Sequence, residues 1–590
     1  MMKNVLKEYF GYEDFRPGQR ELIQNAMANQ PTLGILPTGG GKSICYQIPG
    51  MMKGGLTLVI SPLISLMKDQ VDSLNASGIN AAFLNSTQRV KETKQIEKDL
   101  LNGDYQFLYV APERFNQRQF INLIYQLDIK LIAFDEAHCI SKWGHDFRPS
   151  YRESIKSVMS LPHHFTIMAL TATATVDVKE DICDLLHIGE QYVIETSTKR
   201  DNLKFILDPT YQKQKRLLLF IKEHIEDSGI IYASTRKQVE SLSEVLRMED
   251  INHAIYHAGL HKDMKDENQS KFVRDDIKVM IATNAFGMGI DKSNVRYVAH
   301  YNLPQDLESY YQEAGRAGRD GLESECLLLF SDQDIKLQQF FIETSNDEAV
   351  QELKKEKLNK MIAYTKTKQC LQATIINYFN PNEHLSKCGQ CSNCLEEVEN
   401  YNMTTEAKKI LSCIVRIKTP VHKLTITKVL HGERDDAILH AGYDRLSTFG
   451  LLKEYHTSAI QSFIETLLFN GFIFEQQGKL FCHESARDIL MGDTQVRTYY
   501  KSATYNERVK ITTIGTIDEV LLKQLMDVRK RLSDDLSVPP FTIFSDHTLQ
   551  LFATKKPTSK DEMILIEGVG SYKLKHYCPD FIEAIKAYST

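Results

Sequence analysis

Leu33-Gly34-Ile35-Leu36-Pro37-Thr38-Gly39-Gly40-Gly41-Lys42-Ser43 is an apolar run that passes through three glycines into a lysine, a hydroxyl and a helix-compatible segment. Glycines let backbone N–H groups curl around phosphate oxygens, and the N-terminus of a following helix adds a favourable dipole. In such a loop Lys42 reaches the β- and γ-phosphates and the Ser43 hydroxyl takes Mg²⁺. Thr38, Gly39, Gly40, Gly41, Lys42 and Ser43 are therefore candidate phosphate-binding residues. The strict G-x-x-x-x-G-K-[ST] pattern asks for glycine at 36, where this chain has Leu36.

About ninety residues further on, Leu131-Ile132-Ala133-Phe134 runs into Asp135-Glu136-Ala137-His138. An aspartate at a strand end can hold Mg²⁺ facing the phosphate loop, and Glu136 beside it is the candidate general base for the attacking water. Alone, an acidic pair at a strand end is commonly a solvated turn; downstream of a phosphate loop it reads as ATP hydrolysis. Later, Gln312-Glu313-Ala314-Gly315-Arg316-Ala317-Gly318-Arg319 sets two arginines three apart, on one side of a helical turn. A guanidinium fork suits a γ-phosphate across a domain interface. Arg316 and Arg319 thus join Lys42, Asp135 and Glu136 as candidate catalytic residues.

Working outward, short apolar runs alternate with helical patterns from about residue 30 to 330. They are 33–36, 56–60, 107–110, 131–134 and 167–170, then 230–232, 279–282, 295–300 and 326–330. Such alternation predicts parallel α/β sheets. A break at about 195–215 predicts two α/β domains side by side. Residues 335–400 read as helical and end in cysteines. Residues 404–500 mix helices with a hairpin at 471–482, 516–590 are helix-rich, and 500–515 reads as a linker.

Length and composition agree with a multidomain globular chain. The 590 residues carry 71 Lys+Arg against 77 Asp+Glu, a net charge of −6, with 42 % apolar residues; this excludes a disordered or fibrous chain. No apolar run nears the roughly 18–20 residues of a membrane-spanning helix, and the opening residues have no signal-like apolar core. The odd count of 11 Cys, most of them scattered singly, reads as thiols in a reducing cytosol. Charge is segregated: residues 404–510 have a local balance of +3, leaving −9 for the rest, a weak pointer toward nucleic acid.

Cys370 and Cys388-Gly389-Gln390-Cys391-Ser392-Asn393-Cys394 form a metal-ligand pattern. Four thiolates suit a structural Zn²⁺; a tight C-x₂-C-x₂-C with a remote fourth cysteine also occurs in iron–sulfur proteins. The lone tryptophan, Trp143, follows the acidic pair closely, with Phe147 and Arg148 nearby. Planar side chains with a cation make a stacking platform for unpaired bases.

Together these motifs identify the chain as resembling a superfamily 2 helicase, specifically a RecQ DNA helicase of the bacterial type. The resemblance spans essentially the whole chain. Gly11-Tyr12-Glu13-Asp14-Phe15-Arg16-Pro17-Gly18-Gln19 is similar to the family's adenine-recognition motif, which makes Tyr12 a stacking partner and Arg16 and Gln19 adenine contacts. Segments 61–70, 111–114, 170–175 and 282–292 match further motifs in order. Asp135 through Pro149 resembles the aromatic-rich loop that couples single-stranded DNA binding to ATP hydrolysis, with Trp143, Phe147 and Arg148 as DNA contacts.

The resemblance implies an α/β multidomain architecture: RecA-like domains at 1–200 and 201–340, a zinc-binding helical platform at 341–403, a winged helix at 404–505 whose hairpin is a wedge candidate, and an HRDC-like helical domain at 516–590. It weights the cysteine site toward Zn²⁺ held by Cys370, Cys388, Cys391 and Cys394. The implied activity is ATP- and Mg²⁺-dependent 3′→5′ unwinding of DNA, with single-stranded and tailed or forked duplex DNA as partners. Further expectations are a role in recombination, repair and replication, protein partners such as a single-strand-binding protein, a monomeric state and a bacterial, nucleoid-associated cytoplasmic location. An RNA helicase of the same superfamily and an ATP-switched DNA-binding regulator are the alternatives.

Overall fold

A computed structural model describes residues 1–85, 88–144, 147–161, 164–287, 292–344, 347–383, 385–395, 399–455, 457–469, 472–476, 478–492, 494–500 and 517–589. Nearly all of the expected linker, His145 and Asp146 of the aromatic loop, residues 288–291 of a helicase motif, and Gly471 and Gln477 of the hairpin lie outside the described residues. By contact density the chain forms two units, 1–395 with 512–590, and 396–511.

The first unit holds two parallel sheets. Strands β1 (Thr32–Ile35), β2 (Leu56–Ile60), β3 (Ala81–Leu84), β4 (Phe107–Val110), β5 (Ile129–Phe134), β6 (Thr166–Thr171) and β7 (Val193–Glu195) are ordered β3-β4-β2-β5-β6-β1-β7. Every described pairing is parallel. Helices cover both faces, so the central strands are buried along almost their whole length. The phosphate loop leaves the C-terminal end of β1 and the acidic pair leaves β5, where ligands of open α/β sheets gather.

The second sheet contains β8 (Leu203–Pro209), β9 (Ser228–Tyr232), β10 (His253–Tyr256), β11 (Val279–Ala282), β12 (Val295–His300) and β13 (Ser324–Phe330), in the order β10-β11-β9-β12-β13-β8, all parallel. One expectation is corrected here. The supposed break at about 195–215 contains β8, which pairs with β13 from Leu203↔Ser324 to Pro209↔Phe330. Only the few residues between β7 and β8 are free of sheet.

Helices Glu348–Lys366 and Leu371–Phe379 carry the chain to the cysteine cluster. At the C-terminus, helices from Glu519–Leu536 to Cys578–Ser589 enclose their own apolar core around Leu525, Phe544, Phe552 and Phe581. This helical module lies against both α/β halves. Gly568 N–H donates to Gly11 O at 3.1 Å, Tyr577 Oη to Ala76 O at 3.3 Å, and Lys530 Nζ to Arg274 O at 2.7 Å.

The second unit packs helices Thr404–Ile417, Lys423–His431 and Thr457–Phe469 around a core of its own. Its expected hairpin is present as the antiparallel strands Ile473–Gln476 and Lys479–Cys482. Phe474 and Phe481 stack across it at 5.3 Å.

Candidate functional site

The phosphate loop obtains its shape from two left-handed glycines, Gly39 (φ +80°) and Gly41 (φ +75°), conformations that L side chains rarely adopt. A Cβ on Gly41 would meet Gln19 Nε2 at 2.4 Å. Gln19 fills that space by donating to Gly40 O and Gly41 O, each at 3.0 Å. Arg16 donates to Gly39 O. Helix Lys42–Lys53 begins immediately, so its first N–H groups face the loop. The departure at Leu36 costs the loop nothing: Leu36 is buried and its N–H continues the sheet to Thr171 O at 3.0 Å.

Asp135 is buried at the end of β5. Its N–H donates to Ile60 O at 2.9 Å, and Tyr151 Oη donates to its carbonyl. Glu136 follows in the left-handed region (φ +50°), a strained geometry for a side-chain-bearing residue. Its carboxylate lies 3.4 Å from His138 Nδ1, which also meets Thr171 Oγ1 at 2.9 Å.

The arginines are not on a helix, contrary to their spacing. Helix Leu307–Ala314 stops, and Arg316 and Arg319 sit on the turns that follow. Gly318 ends the helical ladder: it takes φ +58° and sends its N–H to Val295 O at 2.9 Å. Arg316 is buried, and its Nε has no hydrogen-bond partner among the described residues.

These parts share one cleft of about 310 Å³ between the two α/β halves. Thr38, Gly39, Gly41, Lys42 and Ser43 line it from the loop, with Asp135 and Glu136 beside them. Arg316 and Arg319 enter from the other half, and Tyr12, Arg16 and Gln19 also line the cleft from the N-terminal segment. Of the expected nucleotide residues only Gly40 is not on the lining.

Comparison with known proteins agrees in sequence order. The DEAD/DEAH box helicase family matches residues 16–182, the helicase conserved C-terminal domain 211–321, the RecQ zinc-binding family 332–395, the RQC domain 397–506 and the HRDC domain 518–585. The chain is 44 % identical to the ATP-dependent DNA helicase RecQ of Bacillus subtilis (strain 168), covering 100 % of this chain and 98 % of that one. The chain belongs to the RecQ family. The RecQ helicase of Haemophilus influenzae is 38 % identical over 99 % of this chain and 96 % of its own, and that of Pasteurella multocida 37 % over 99 % and 93 %.

The RecQ zinc-binding segment brings the four expected cysteines together, their sulfurs all within 4.8 Å of one another. Cys370 and Cys391 Sγ are 3.9 Å apart, as are Cys388 and Cys394. A Zn–S tetrahedron with bonds of about 2.3 Å has S···S edges of about 3.8 Å, so one ion fits; a cluster of several irons and sulfides would hold the sulfurs farther apart. N–H groups of Ala373 and Cys388 donate to Cys370 Sγ, and that of Leu371 to Cys391 Sγ, the contacts that stabilise thiolate ligands. None of the 11 cysteines is joined in a disulfide. No helix among the described residues is long and apolar enough to cross a membrane.

In the RecQ aromatic loop, Trp143 is 52 % exposed, which removes it from the core. Phe147 is half-buried. Arg148 donates to Pro62 O at 2.6 Å, tying the loop base to the segment after β2.

Two site residues escaped sequence reasoning. Arg200 is 8 % exposed and donates to Thr38 O of the phosphate loop and to Ala317 O (3.1 Å) and Gly318 O (2.8 Å) of the arginine segment. Glu567, from the HRDC module, lines the cleft near Tyr12, whose hydroxyl burial pushes to a raised pKa. Nothing in local spacing signals either residue; both are defined by contacts distant in sequence.

Proposed function

We propose that this RecQ-family protein is an ATP-dependent DNA helicase that moves 3′→5′ along single-stranded DNA and separates duplex ahead of it. The observation that carries the reading is the convergence of Lys42, the Asp135–Glu136 pair and the two arginines on one cleft between α/β halves. Tyr12, Arg16 and Gln19 hold the adenine end, and Lys42 and the loop N–H groups hold the β- and γ-phosphates. Ser43 and Asp135 would hold Mg²⁺, which when bound neutralises charge on the transferred phosphoryl group. Glu136 takes the proton of the attacking water. Arg316 and Arg319, approaching from the opposite half, stabilise negative charge that grows in the transition state.

Because the two sides of the site belong to different halves, hydrolysis and release change how tightly the cleft is held. That cycle moves the halves along one strand, with Trp143, Phe147 and Arg148 contributing to the DNA contact and the Phe474–Phe481 hairpin acting as wedge. Zn²⁺ on the four cysteines is structural, with no open coordination position. The cellular reading is recombination, repair and replication in a bacterial cytoplasm, acting as a monomer alongside proteins such as a single-strand-binding protein.

The test is strand displacement on duplexes carrying a 3′ or a 5′ single-stranded tail, with Lys42→Ala as control. ATP-dependent unwinding of the 3′-tailed duplex alone is expected, with none by Lys42→Ala. Turnover of ATP without unwinding of either substrate would reduce the protein to a translocase or DNA-gated switch.

A further inference from the structure

Lys357 lies outside the ATP cleft and the cysteine site, yet its ammonium group touches a segment of each α/β half. It sits on helix Glu348–Lys366. Its Nζ donates to the backbone carbonyl of Trp143 at 3.1 Å and pairs with Glu308 Oε1 at 2.9 Å. The Lys357 and Glu308 side chains are only 14 % and 5 % exposed. An ammonium has three donors, so both contacts are held at once.

The two ends of this bridge are the parts of the molecule that must communicate. Trp143 belongs to the loop that follows Asp135 and Glu136 in the first half. Glu308 is the second residue of helix Leu307–Ala314, whose first turn is pinned by Asp306 accepting from Ser309 N–H at 2.7 Å. That helix leads directly into Arg316 and Arg319. A carboxylate buried this deeply is costly without a cation, and Lys357 supplies it; burial pushes the Glu308 carboxyl upward, and Lys357, together with the Glu308 backbone N–H and the Tyr378 hydroxyl, more than offsets this and holds it below its ordinary range. Charge neutralisation alone, however, does not require the second bond to Trp143. That bond uses the Trp143 carbonyl and leaves the indole half-exposed for a base to stack on.

We propose that Lys357 is a positioning residue that couples the aromatic loop to the arginine-bearing helix, so that movement of Trp143 on DNA alters how Arg316 and Arg319 are presented. The inference rests on the helicase reading and names a residue which that reading does not require.

The experiment is ATP turnover with and without a single-stranded oligonucleotide, alongside thermal melting. Lys357→Met alone strands a buried carboxylate and loses stability whatever its other role, so the informative variant is Lys357→Met combined with Glu308→Gln, which removes both charges. Expected is a double variant that melts like the parent and keeps its DNA-free turnover and KM for ATP within about twofold, while DNA stimulation falls about tenfold, a typical coupling between sites. Lys357→Arg, which keeps charge and several donors, recovers most of the stimulation. A double variant with stimulation within about twofold of the parent would overturn the proposal and leave Lys357 a neutraliser of Glu308. A parent protein whose turnover ignores DNA would instead overturn the helicase reading itself.

Discussion

Arg200 donates through Nη2 to the carbonyl of Gly318 at 2.8 Å, while its other terminal nitrogen donates to the carbonyl of Thr38. One guanidinium therefore spans the phosphate loop of the first half and the arginine segment of the second. Its fixed fork makes this possible; a lysine is a point charge on a flexible stem and cannot hold both sides in register. Arg200→Lys is expected to lower kcat for ATP by about tenfold or more, ~1.4 kcal/mol of transition-state stabilisation, with a smaller change in KM. Steady-state kinetics that show an unchanged kcat would assign Arg200 to folding alone.

The cysteine site reaches the same segment. Gln372, on the helix that Cys370 caps, donates to Arg200 O at 2.7 Å. Gln390, between Cys388 and Cys391, donates to Asp201 O at 2.8 Å and Leu203 O at 3.0 Å. Structural zinc sites supply on the order of 10 kcal/mol to local folding. Stripping the metal with a chelator, or Cys391→Ser, is therefore expected to lower ATP turnover in proportion to zinc content, although zinc performs no chemistry on ATP. Metal-free protein with full turnover would break this link.

Trp143→Ala is expected to leave the melting temperature and the KM for ATP unchanged, because the indole is half-exposed and lies outside the cleft lining. Base stacking on an aromatic contributes about 1–3 kcal/mol, so the single-stranded DNA concentration needed for half-maximal stimulation should rise about 5- to 150-fold. A DNA titration of ATP turnover reads this directly, and an unchanged midpoint returns Trp143 to a packing role.

What the sequence concealed has a common cause. The strands legible as apolar runs, such as Leu56–Ile60 and Val279–Ala282, are central and buried on both faces. The four it concealed in the two parallel sheets, β3, β7, β8 and β10, are the two edges of each. An edge strand has one hydrogen-bonded neighbour, and along β8 and β10 the side chains are partly exposed, so Lys204 and Asp208 interrupt β8 and His253 opens β10 without harm; β3 is apolar and nearly buried, but two of its four residues are alanines, weak strand formers. The motifs that line the cleft were legible because phosphate-binding chemistry demands fixed residue types at short spacing. Arg200, Lys357 and Glu567 were not, because each is placed by tertiary packing between segments distant in sequence, 162 residues for Arg200 and Thr38 and 214 for Lys357 and Trp143.

A pH dependence of stability follows from the second sheet. His224 Nδ1 lies 2.9 Å from Asp227 and Nε2 3.4 Å from Glu325, which Lys204 also holds at 3.0 Å. Burial disfavours the charged ring, but the hydrogen bond to Asp227 and the pairing with the Glu325 carboxylate outweigh it and raise the His224 pKa to about 9. A group raised on folding stabilises fully below its unfolded value of about 6.5 and loses that contribution as pH climbs through the folded value. Thermal stability is therefore expected to fall between about pH 6.5 and pH 9, and His224→Gln should flatten the slope in that window. Melting curves at constant ionic strength that keep the slope in the variant would place its source elsewhere.

Glu567 is the one cleft residue contributed by the C-terminal module, held there because Gly11 and Gly568 meet backbone to backbone. A Cβ on Gly11 would lie 2.6 Å from Val569 N and C, so the approach depends on glycine at that position. The carboxylate lies close enough to Tyr12 to act on its hydroxyl, so with Tyr12 stacked on the base, as proposed above, it meets the base and ribose of a bound nucleotide. The adenine amino group and the ribose hydroxyls are donors, and an ionised carboxylate is purely an acceptor. A hydrogen bond to a charged group contributes about 1.5–3 kcal/mol when both partners are shielded, and about 1 kcal/mol in a half-open cleft. Glu567→Ala is accordingly expected to raise the KM for ATP about fivefold at unchanged kcat, the signature of a contact made equally in ground and transition states. Glu567→Gln, which keeps an acceptor, should fall in between. A lower KM in Glu567→Ala would mean that the carboxylate acts by repelling the phosphates after all, and that the C-terminal module weakens nucleotide binding.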